Sequence, residues 1–427
     1  MGEDVPVTEG PTPQVHPGGE GEPIPIQGIS VQGTAIVGVG LAVSQVIAML
    51  QMLIVSRILG PEQFGAFGAM AVVLLIGSTV LAATQVTIAR HVASGRSLQQ
   101  IGAGSVLAAG LATFALGAVV APLLSRVLDL NDVGGLLLVA VTFIPFAVTG
   151  AQLGLLQGYE RHARLGTLYV LATLARVIGA VTGAVLGQTA DSAMLGLALG
   201  ATFGAVVGHF MLIERLAWRS SEGTRHYLIE AGHAAHALIA LYALTNLDVL
   251  LARAQLTAFD AGLYAAGALV ARAVFFFPQA ILVAAFPRIV AGARNAQRQA
   301  VAAVAVIGLL VTAFVALFPT LVISVMAGEQ YLEVADEAWL FALAGAGFGV
   351  VQVLLYARMA HHDRRATILL WTAVAVLVGL GLTLGTSIGA LVTCAAAVAW
   401  TTALIGVAWA RLDPVQYAED DLPPTSM

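Results

Sequence analysis

The chain has 427 residues, of which 59% are hydrophobic and only 10% are charged, with a net charge of −5 at pH 7. A soluble domain carries about 25% charged residues, so this composition excludes a water-soluble globular protein. All 19 basic residues are arginines, which excludes ATP hydrolysis through the lysine of a Walker A phosphate loop. The single cysteine, Cys394, excludes an internal disulfide and a cysteine metal site. We expect no metal, no cofactor and no nucleic-acid partner.

The apolar residues are grouped in runs of about 20, the length that a transmembrane helix needs. A barrel would instead show shorter segments of alternating polarity. The sequence therefore predicts an all-α polytopic membrane protein with about 12 transmembrane helices. The predicted spans are 33–54, 66–89, 101–121, 133–156, 165–187, 193–214, 233–252, 261–287, 300–326, 335–357, 366–384 and 388–410.

Two tails flank these spans. Residues 1–32 are rich in Gly and Pro and contain acidic but no basic side chains, so we predict a disordered tail rather than a secretory signal. Residues 411–427 form a second acidic tail. If the N-terminus is cytoplasmic, 14 arginines lie in inner segments and three in outer loops. This bias predicts that both termini are cytoplasmic, in the cell (inner) membrane.

An internal repeat divides the chain into two halves. The segment 57–65 (RILGPEQFG) leads an apolar run that ends at 90–96 (RHVASGR), and a weaker copy begins at 253–262 (RAQLTAFDAG) and ends at 288–294 (RIVAGAR). Gly65 and Gly262 are 197 positions apart. The repeat predicts an N-lobe at 33–214, a cytoplasmic linker at 215–232 and a C-lobe at 233–410. Each lobe has six helices, and a pseudo-twofold axis along the membrane normal relates the two.

The segment 57–65 resembles the first outer loop of the polysaccharide-biosynthesis flippases, which export lipid-linked oligosaccharides and belong to the MOP (MATE-like) superfamily. Asn246 and Asp248, followed by Gly262 and Tyr264, resemble that family's seventh span and the opening of its eighth. The resemblance implies two six-helix bundles around a central cavity and alternating access by rocking. It also implies an undecaprenyl-pyrophosphate-linked sugar as the substrate, moved from the inner to the outer leaflet, with glycan-assembly proteins as partners.

Two arginines, Arg176 and Arg272, lie near the middle of their spans. A charge at this depth usually faces a polar interior, and guanidinium groups match phosphate oxygens. We interpret both as cavity residues that bind pyrophosphate; the alternative is a structural arginine paired with a carbonyl or an acid. Asp248 and Asn246 are further candidates for the cavity. We interpret Asp248 as a proton- or sodium-responsive carboxylate or as a partner that positions a cavity arginine; the alternative is local capping or pairing with Arg253.

Arg57 and Arg253 occupy matching positions at the outer ends of spans one and seven. They are candidates for an outer gate with carboxylates such as Glu62 or Asp260, against the alternative of an ordinary turn with a snorkelling side chain. Arg90 and Arg288 form the repeated inner pair. We consider them for headgroup capture, against the alternative of a topology signal in contact with anionic lipid.

Intramembrane glutamines are candidates for hydrogen bonds to sugar or, equally, between helices. They are Gln45, Gln51, Gln85, Gln152 and Gln352.

The sequence favours a transporter over an enzyme, since it shows no catalytic triad and no paired mid-membrane carboxylates. One alternative is a cation-coupled multidrug or small-molecule exporter of the same superfamily, for which an acidic or aromatic cavity is expected. A glycan polymerase or ligase would need a large outer loop, and every predicted outer loop is short. A scaffold that has lost transport is a third alternative.

Overall fold

A computed structural model describes residues 31–93, 103–130, 132–212, 236–276, 294–359 and 364–412. Within these ranges the secondary structure is helical. The α-helices are α1 Val31–Ala93, α2 Ala103–Val127, α3 Gly134–Gly158, α4 His162–Gly187, α5 Ala190–Met211, α6 His236–Leu244, α7 Leu247–Gln255, α8 Ala258–Phe276, α9 Arg294–Leu317, α10 Pro319–Met326, α11 Ala338–Met359, α12 Arg364–Leu384 and α13 Ile388–Leu412, and a 3₁₀ helix covers Glu329–Glu337.

Helix α1 folds back on itself at Gly60, whose φ of 71° and ψ of 171° interrupt the helix. Only glycine adopts a positive φ without steric cost. A straight helix of 63 residues would measure about 95 Å. Both ends of α1 instead lie beside the turn between α3 and α4, with Gly33 against His162 and Val92 against Gly158. We name the two ends of the bundle the Gly60 face and the Gly158 face.

The described residues contain ten helices that are long and apolar enough to cross a membrane, and the bent pair α6 and α7 makes an eleventh. Because α1 is counted once but supplies two antiparallel arms, the total is 12, which confirms the expected number. Spans one and two are these two arms.

Two predicted spans are broken, and in the first of them we expected a continuous helix. Span seven bends by 50° between α6 and α7. The side chains at the break donate to carbonyls of the last turn of α6, Thr245 Oγ1 to Leu241 at 3.0 Å and Asn246 Nδ2 to Tyr242 at 3.0 Å. Polar side chains that replace missing helical hydrogen bonds allow such a bend within a membrane. Span nine breaks before Pro319, which has no N–H to donate to the preceding turn.

Several predicted regions fall outside the described residues. They are the N-terminal tail up to residue 30, the linker 215–232, residues 277–287 of span eight, Arg288, and the C-terminal tail from residue 413.

The two lobes meet at the Gly60 face through a backbone contact between Gly65 on α1 and Gly262 on α8. A Cβ atom on Gly65 would lie 2.8 Å from the Gly262 nitrogen, and a Cβ on Gly262 would overlap the Pro61 carbonyl. These two glycines are 197 positions apart and are equivalent in the internal repeat. Equivalent residues that touch each other lie on the axis relating the two lobes, so this contact marks the pseudo-twofold axis.

Replacing Gly262 with alanine is expected to separate the lobes at the Gly60 face, because the new methyl group has no space beside Pro61. The change is measured by the distance between spin labels at Leu186→Cys and Glu333→Cys, two exposed positions in opposite lobes, in a Cys394→Ser background. We expect a new population at longer distance. Gly65→Ala, with the smaller overlap, is expected to give the same change to a lesser degree.

Gly379→Ala is the matched control, because a Cβ atom at Gly379 meets no atom within 4 Å. We assign this contact as the closure between the lobes. The assignment would be contradicted if Gly262→Ala, Gly379→Ala and the parent protein gave the same distance distribution.

Candidate functional site

A cavity of about 260 Å³ lies between the two lobes. The N-lobe lines it with both arms of α1 and with side chains from α3, α4 and α5, and the C-lobe lines it with α6, α8 and α11. The Gly65–Gly262 contact lies towards the Gly60 face from this cavity. The cavity is therefore bounded by both halves of the repeat, and a ligand inside it touches both lobes.

Arg272 projects from α8 into this cavity, ten residues beyond Gly262 and thus about 15 Å further along the helix. Its Nε donates to Asn246 Oδ1 at 3.2 Å. No hydrogen bond joins its two terminal nitrogens to another described residue. The guanidinium is thus held by one edge, and its two terminal N–H groups are available to a ligand.

Asn246 occupies the break between α6 and α7 and performs two tasks there. Its Nδ2 donates to the Tyr242 carbonyl at 3.0 Å and to Thr245 Oγ1 at 2.9 Å, while its Oδ1 accepts from Arg272. The interrupted helix therefore creates the acceptor that orients Arg272. Asn246 lines the cavity wall, and its contacts are those of a group that positions the arginine.

Asp248 lies outside the cavity lining, although we predicted it as a cavity residue. It is buried on α7, where its Oδ2 accepts a hydrogen bond of 2.9 Å from the Tyr264 hydroxyl. It interacts electrostatically with Arg272 and so offsets part of the cost of holding that cation away from water. The sequence placed Asp248 on the correct helix but did not show which way its side chain faces.

Arg176 lines the same cavity from α4, in the opposite lobe from Arg272. Its Nη2 donates to Thr173 Oγ1 at 2.8 Å, and its guanidinium carbon lies 5.0 Å from the centre of the Phe146 ring. No carboxylate among the described residues pairs with it. An aromatic face is a favourable neighbour for a cation, so the charge is retained without an acidic partner.

The cavity wall also contains aromatic rings that the sequence analysis did not single out. Phe275 and Phe276 lie three and four residues after Arg272, the spacing that places side chains on one helix face. That spacing was a signal available in the sequence. Phe348 and Tyr242 complete the aromatic lining on the C-lobe side, and no sequence pattern indicated them.

The glutamines divide between the two roles that we considered. Gln45 and Gln51, on the first arm of α1, line the cavity. Gln85 joins helices instead, donating to Tyr169 at 2.7 Å and to Gln157 at 3.0 Å. Gln152 donates to the Ala205 carbonyl at 2.7 Å. Gln352 is buried on α11.

The remaining predicted residues lie away from the cavity. Arg57 and Arg253 are at the Gly60 face, and each donates to backbone carbonyls of the opposite lobe. Of the expected carboxylates, Glu62 interacts electrostatically with Arg253. Arg90 is exposed in the last turn of α1, at the Gly158 face. Arg288 lies outside the described residues.

Comparison with known proteins places this geometry in context. The family model described as polysaccharide biosynthesis protein matches residues 30–293. The lipid II flippase MurJ in an inward closed conformation has a TM-score of 0.73 at 10% identity, over 88% of this chain and 87% of that chain. A MATE family multidrug resistance transporter of the MOP superfamily has TM-scores of 0.67 in its inward-facing conformation and 0.55 in its outward-facing conformation, both at 14% identity.

Coverage for the MATE transporter is 89% of this chain in both conformations, with 97% of that chain in the inward-facing form and 95% in the outward-facing form. A search of curated proteins gave no match. The similarities establish the two-lobe fold of the MOP superfamily.

Cysteine accessibility tests the geometry of this site. In a Cys394→Ser background, Arg176→Cys and Arg272→Cys are expected to react with a membrane-impermeant thiol reagent from one side of the membrane only, since both face a cavity that is closed at the Gly60 face. Asp248→Cys is expected to react much more slowly, because it lies outside the cavity lining. Mass spectrometry of right-side-out and inverted vesicles measures all three reactions.

Two outcomes would contradict the shared cavity. In the first, Asp248→Cys reacts as fast as Arg272→Cys. In the second, Arg176→Cys and Arg272→Cys react from opposite sides of the membrane.

Proposed function

This chain belongs to the polysaccharide biosynthesis protein family, and from that premise we propose that it is a flippase. Its substrate is a glycan joined through a diphosphate to a membrane lipid, and it moves that substrate from the inner to the outer leaflet by alternating access. The observation that supports this function is the pair Arg176 and Arg272, which reach one cavity from opposite lobes with donor groups that make no hydrogen bond to the described residues.

The diphosphate is the part of this substrate that the arginines recognise. The two terminal nitrogens of Arg272 match a pair of phosphate oxygens, a bidentate arrangement stronger than a neutral hydrogen bond. Arg176 supplies a second cation from the other lobe. An anion held by both lobes favours their approach, and this links binding to the rearrangement that follows.

The glycan fits the polar and aromatic remainder of the cavity. Gln45 and Gln51 carry amides that both donate to and accept from hydroxyl groups. Phe275 and Phe276 offer apolar ring faces on the Arg272 side. The lipid tail stays in the bilayer while the headgroup occupies the cavity. A cavity of about 260 Å³ holds a diphosphate and the first sugar, and the longer glycan extends beyond it.

With the Gly60 face as the outer face, as the arginine bias predicts, the contact that closes this face supports an inward-facing state. Each negative charge that moves outward across a membrane with a negative interior gains roughly 2.3 kcal/mol per 100 mV. A diphosphate therefore responds to the membrane potential, and that potential biases export without ATP hydrolysis.

A cation-coupled multidrug exporter is the second candidate, and the aromatic lining is the observation in its favour. Aromatic rings attract cationic drugs, yet the face of Phe146 already lies against Arg176. A cationic drug in the same cavity is repelled by both arginines. The charge of the cavity therefore favours an anionic substrate.

The proposal is tested with the purified protein in liposomes. The assay measures flipping of a fluorescent polyprenyl-diphosphate oligosaccharide between the two leaflets. Arg272→Ala is expected to lower the initial rate about 10- to 100-fold, because a hydrogen bond to a charged group contributes about 1.5–3 kcal/mol. Chemical quenching of the label in the outer leaflet measures the rate. Arg126→Ala, which removes an exposed arginine at the Gly60 face, is the control and is expected to keep the parent rate.

Equal rates for Arg272→Ala and Arg126→Ala would contradict the assignment of Arg272 as a binding group. Export of an organic cation, without flipping of the diphosphate lipid by the parent protein, would favour the multidrug candidate instead.

A further inference from the structure

We propose that Arg57 and Arg253 are two equivalent latches, which hold the Gly60 face closed by donating across the lobe boundary to carbonyls at the ends of equivalent helices. The inference concerns how this face closes. Only its consequence for transport rests on the proposed function.

The first latch joins the N-lobe to α10. Arg57 lies in the last turn of the first arm of α1, and its Nη2 donates to the carbonyls of Val325 and, at 3.3 Å, Ser324. Its Nη1 donates to the Leu53 carbonyl at 3.0 Å within its own helix, which fixes the direction of the side chain. Since α10 ends at Met326, the two acceptors are among the last carbonyls of a helix, which have no intrahelical partner.

The second latch joins the C-lobe to the end of α2. Arg253 lies in the last turn of α7 and is buried. Its Nε donates to the Leu128 carbonyl at 3.0 Å and its Nη2 to the Asp129 carbonyl at 2.8 Å. Because α2 ends at Val127, these acceptors follow directly after the helix.

The two latches are copies of one interaction. Arg57 and Arg253 are 196 positions apart, and the acceptors Leu128 and Val325 are 197 apart, the spacing of the internal repeat. Each arginine ends the first span of its lobe, and each acceptor ends the third span of the other lobe. A twofold axis through the Gly65–Gly262 contact generates the second interaction from the first, as in an isologous interface.

The acceptors determine how the closure behaves. The carbonyl end of a helix carries a partial negative charge that attracts a cation. The carbonyls do not titrate. The carboxylates that face Arg253 are Asp129 and Glu62, both of the N-lobe, which attract it electrostatically while the carbonyls accept its hydrogen bonds. Opening replaces these carbonyls by water around each guanidinium.

The two latches differ in how many of the arginine N–H groups are hydrogen-bonded and in the other hydrogen bonds around them. The Nη1 of Arg253 is buried and finds no hydrogen-bond partner among the described residues, and this makes the closed state less favourable than a fully paired arginine would. Arg57 is exposed, and further hydrogen bonds across the lobes surround it. Ser56 Oγ donates to the Ala327 carbonyl at 3.0 Å, and the Tyr331 hydroxyl donates to the Ser56 carbonyl at 2.8 Å. Because these bonds still join the lobes after Arg57 is removed, loss of Arg253 is expected to open the face more than loss of Arg57.

The latches are tested by spin-label distances between Leu186→Cys and Glu333→Cys. The measurement uses the full chain in the Cys394→Ser background, without substrate. Arg253→Ala is expected to raise the open-to-closed ratio roughly tenfold, Arg57→Ala less, and the double variant by about the product of the two. Arg126→Ala is the matched control. This exposed arginine lies at the same face and makes no hydrogen bond across the lobes among the described residues. It is expected to leave the ratio unchanged.

Arg57→Lys and Arg253→Lys keep the positive charge and one donor nitrogen in place of three. They are expected to retain part of the closure, and they disturb the fold less than the alanine variants do. A ratio in the double alanine variant equal to that of Arg126→Ala would overturn the proposal. So would opening by the lysine variants equal to that by the alanine variants.

The distance measurement is independent of flipping. If the parent protein flips no diphosphate lipid but the latch variants open, the latches stand and the proposed function fails. If the parent protein flips the lipid and the latch variants stay closed, the latches fail and the proposed function stands.

Discussion

The backbone contact between Gly65 and Gly262 is the constraint on which the rest of the arrangement depends. Two helices approach so closely there that neither position has space for a methyl group. Because the two glycines are equivalent in the repeat, the contact fixes the pseudo-twofold axis and, with it, the relation between the lobes. It closes the Gly60 face and leaves the cavity further along α1 and α8, where larger side chains keep the helices apart.

The arginines divide into two groups according to how their donors are used. At the Gly60 face, Arg57 and Arg253 donate to carbonyls of the opposite lobe, and these bonds tie the lobes together. In the cavity, Arg176 and Arg272 are each held by one side-chain acceptor, and their other donors make no hydrogen bond to the described residues. Donors that bond across the lobe boundary at the rim suit closure, and donors left open in the centre suit binding of an anion. Both groups follow from the same chemistry, a rigid planar cation with five N–H donors.

Much of the fold was predictable because hydropathy reports directly on the length of apolar runs, and the repeated segments revealed the two halves. The break at Asn246 was not predicted, since it interrupts a run that remains apolar on both sides. The break before Pro319 had a sequence signal in the proline itself, which cannot donate the hydrogen bond that would continue the helix. Helix breaks matter here because the one at Asn246 supplies the acceptor that orients Arg272.

The contacts of the site were less predictable than its residues. The partners of Arg57 and Arg253 are backbone carbonyls, which every residue carries, so no sequence pattern distinguishes them. Asp248 was predicted as a cavity residue, but its side chain on α7 is turned towards Tyr264 on α8. The packing of neighbouring helices sets that direction, and a linear sequence does not contain it.

The central claim is that the cavity recognises a diphosphate joined to a lipid. The most direct measurement compares flipping, by the purified parent protein in liposomes, of two fluorescent polyprenyl oligosaccharides that differ only in the linkage, diphosphate or uncharged ether. The account predicts flipping of the diphosphate lipid and, for the ether lipid, a rate no greater than in liposomes without protein. Equal protein-dependent flipping of both lipids would contradict it.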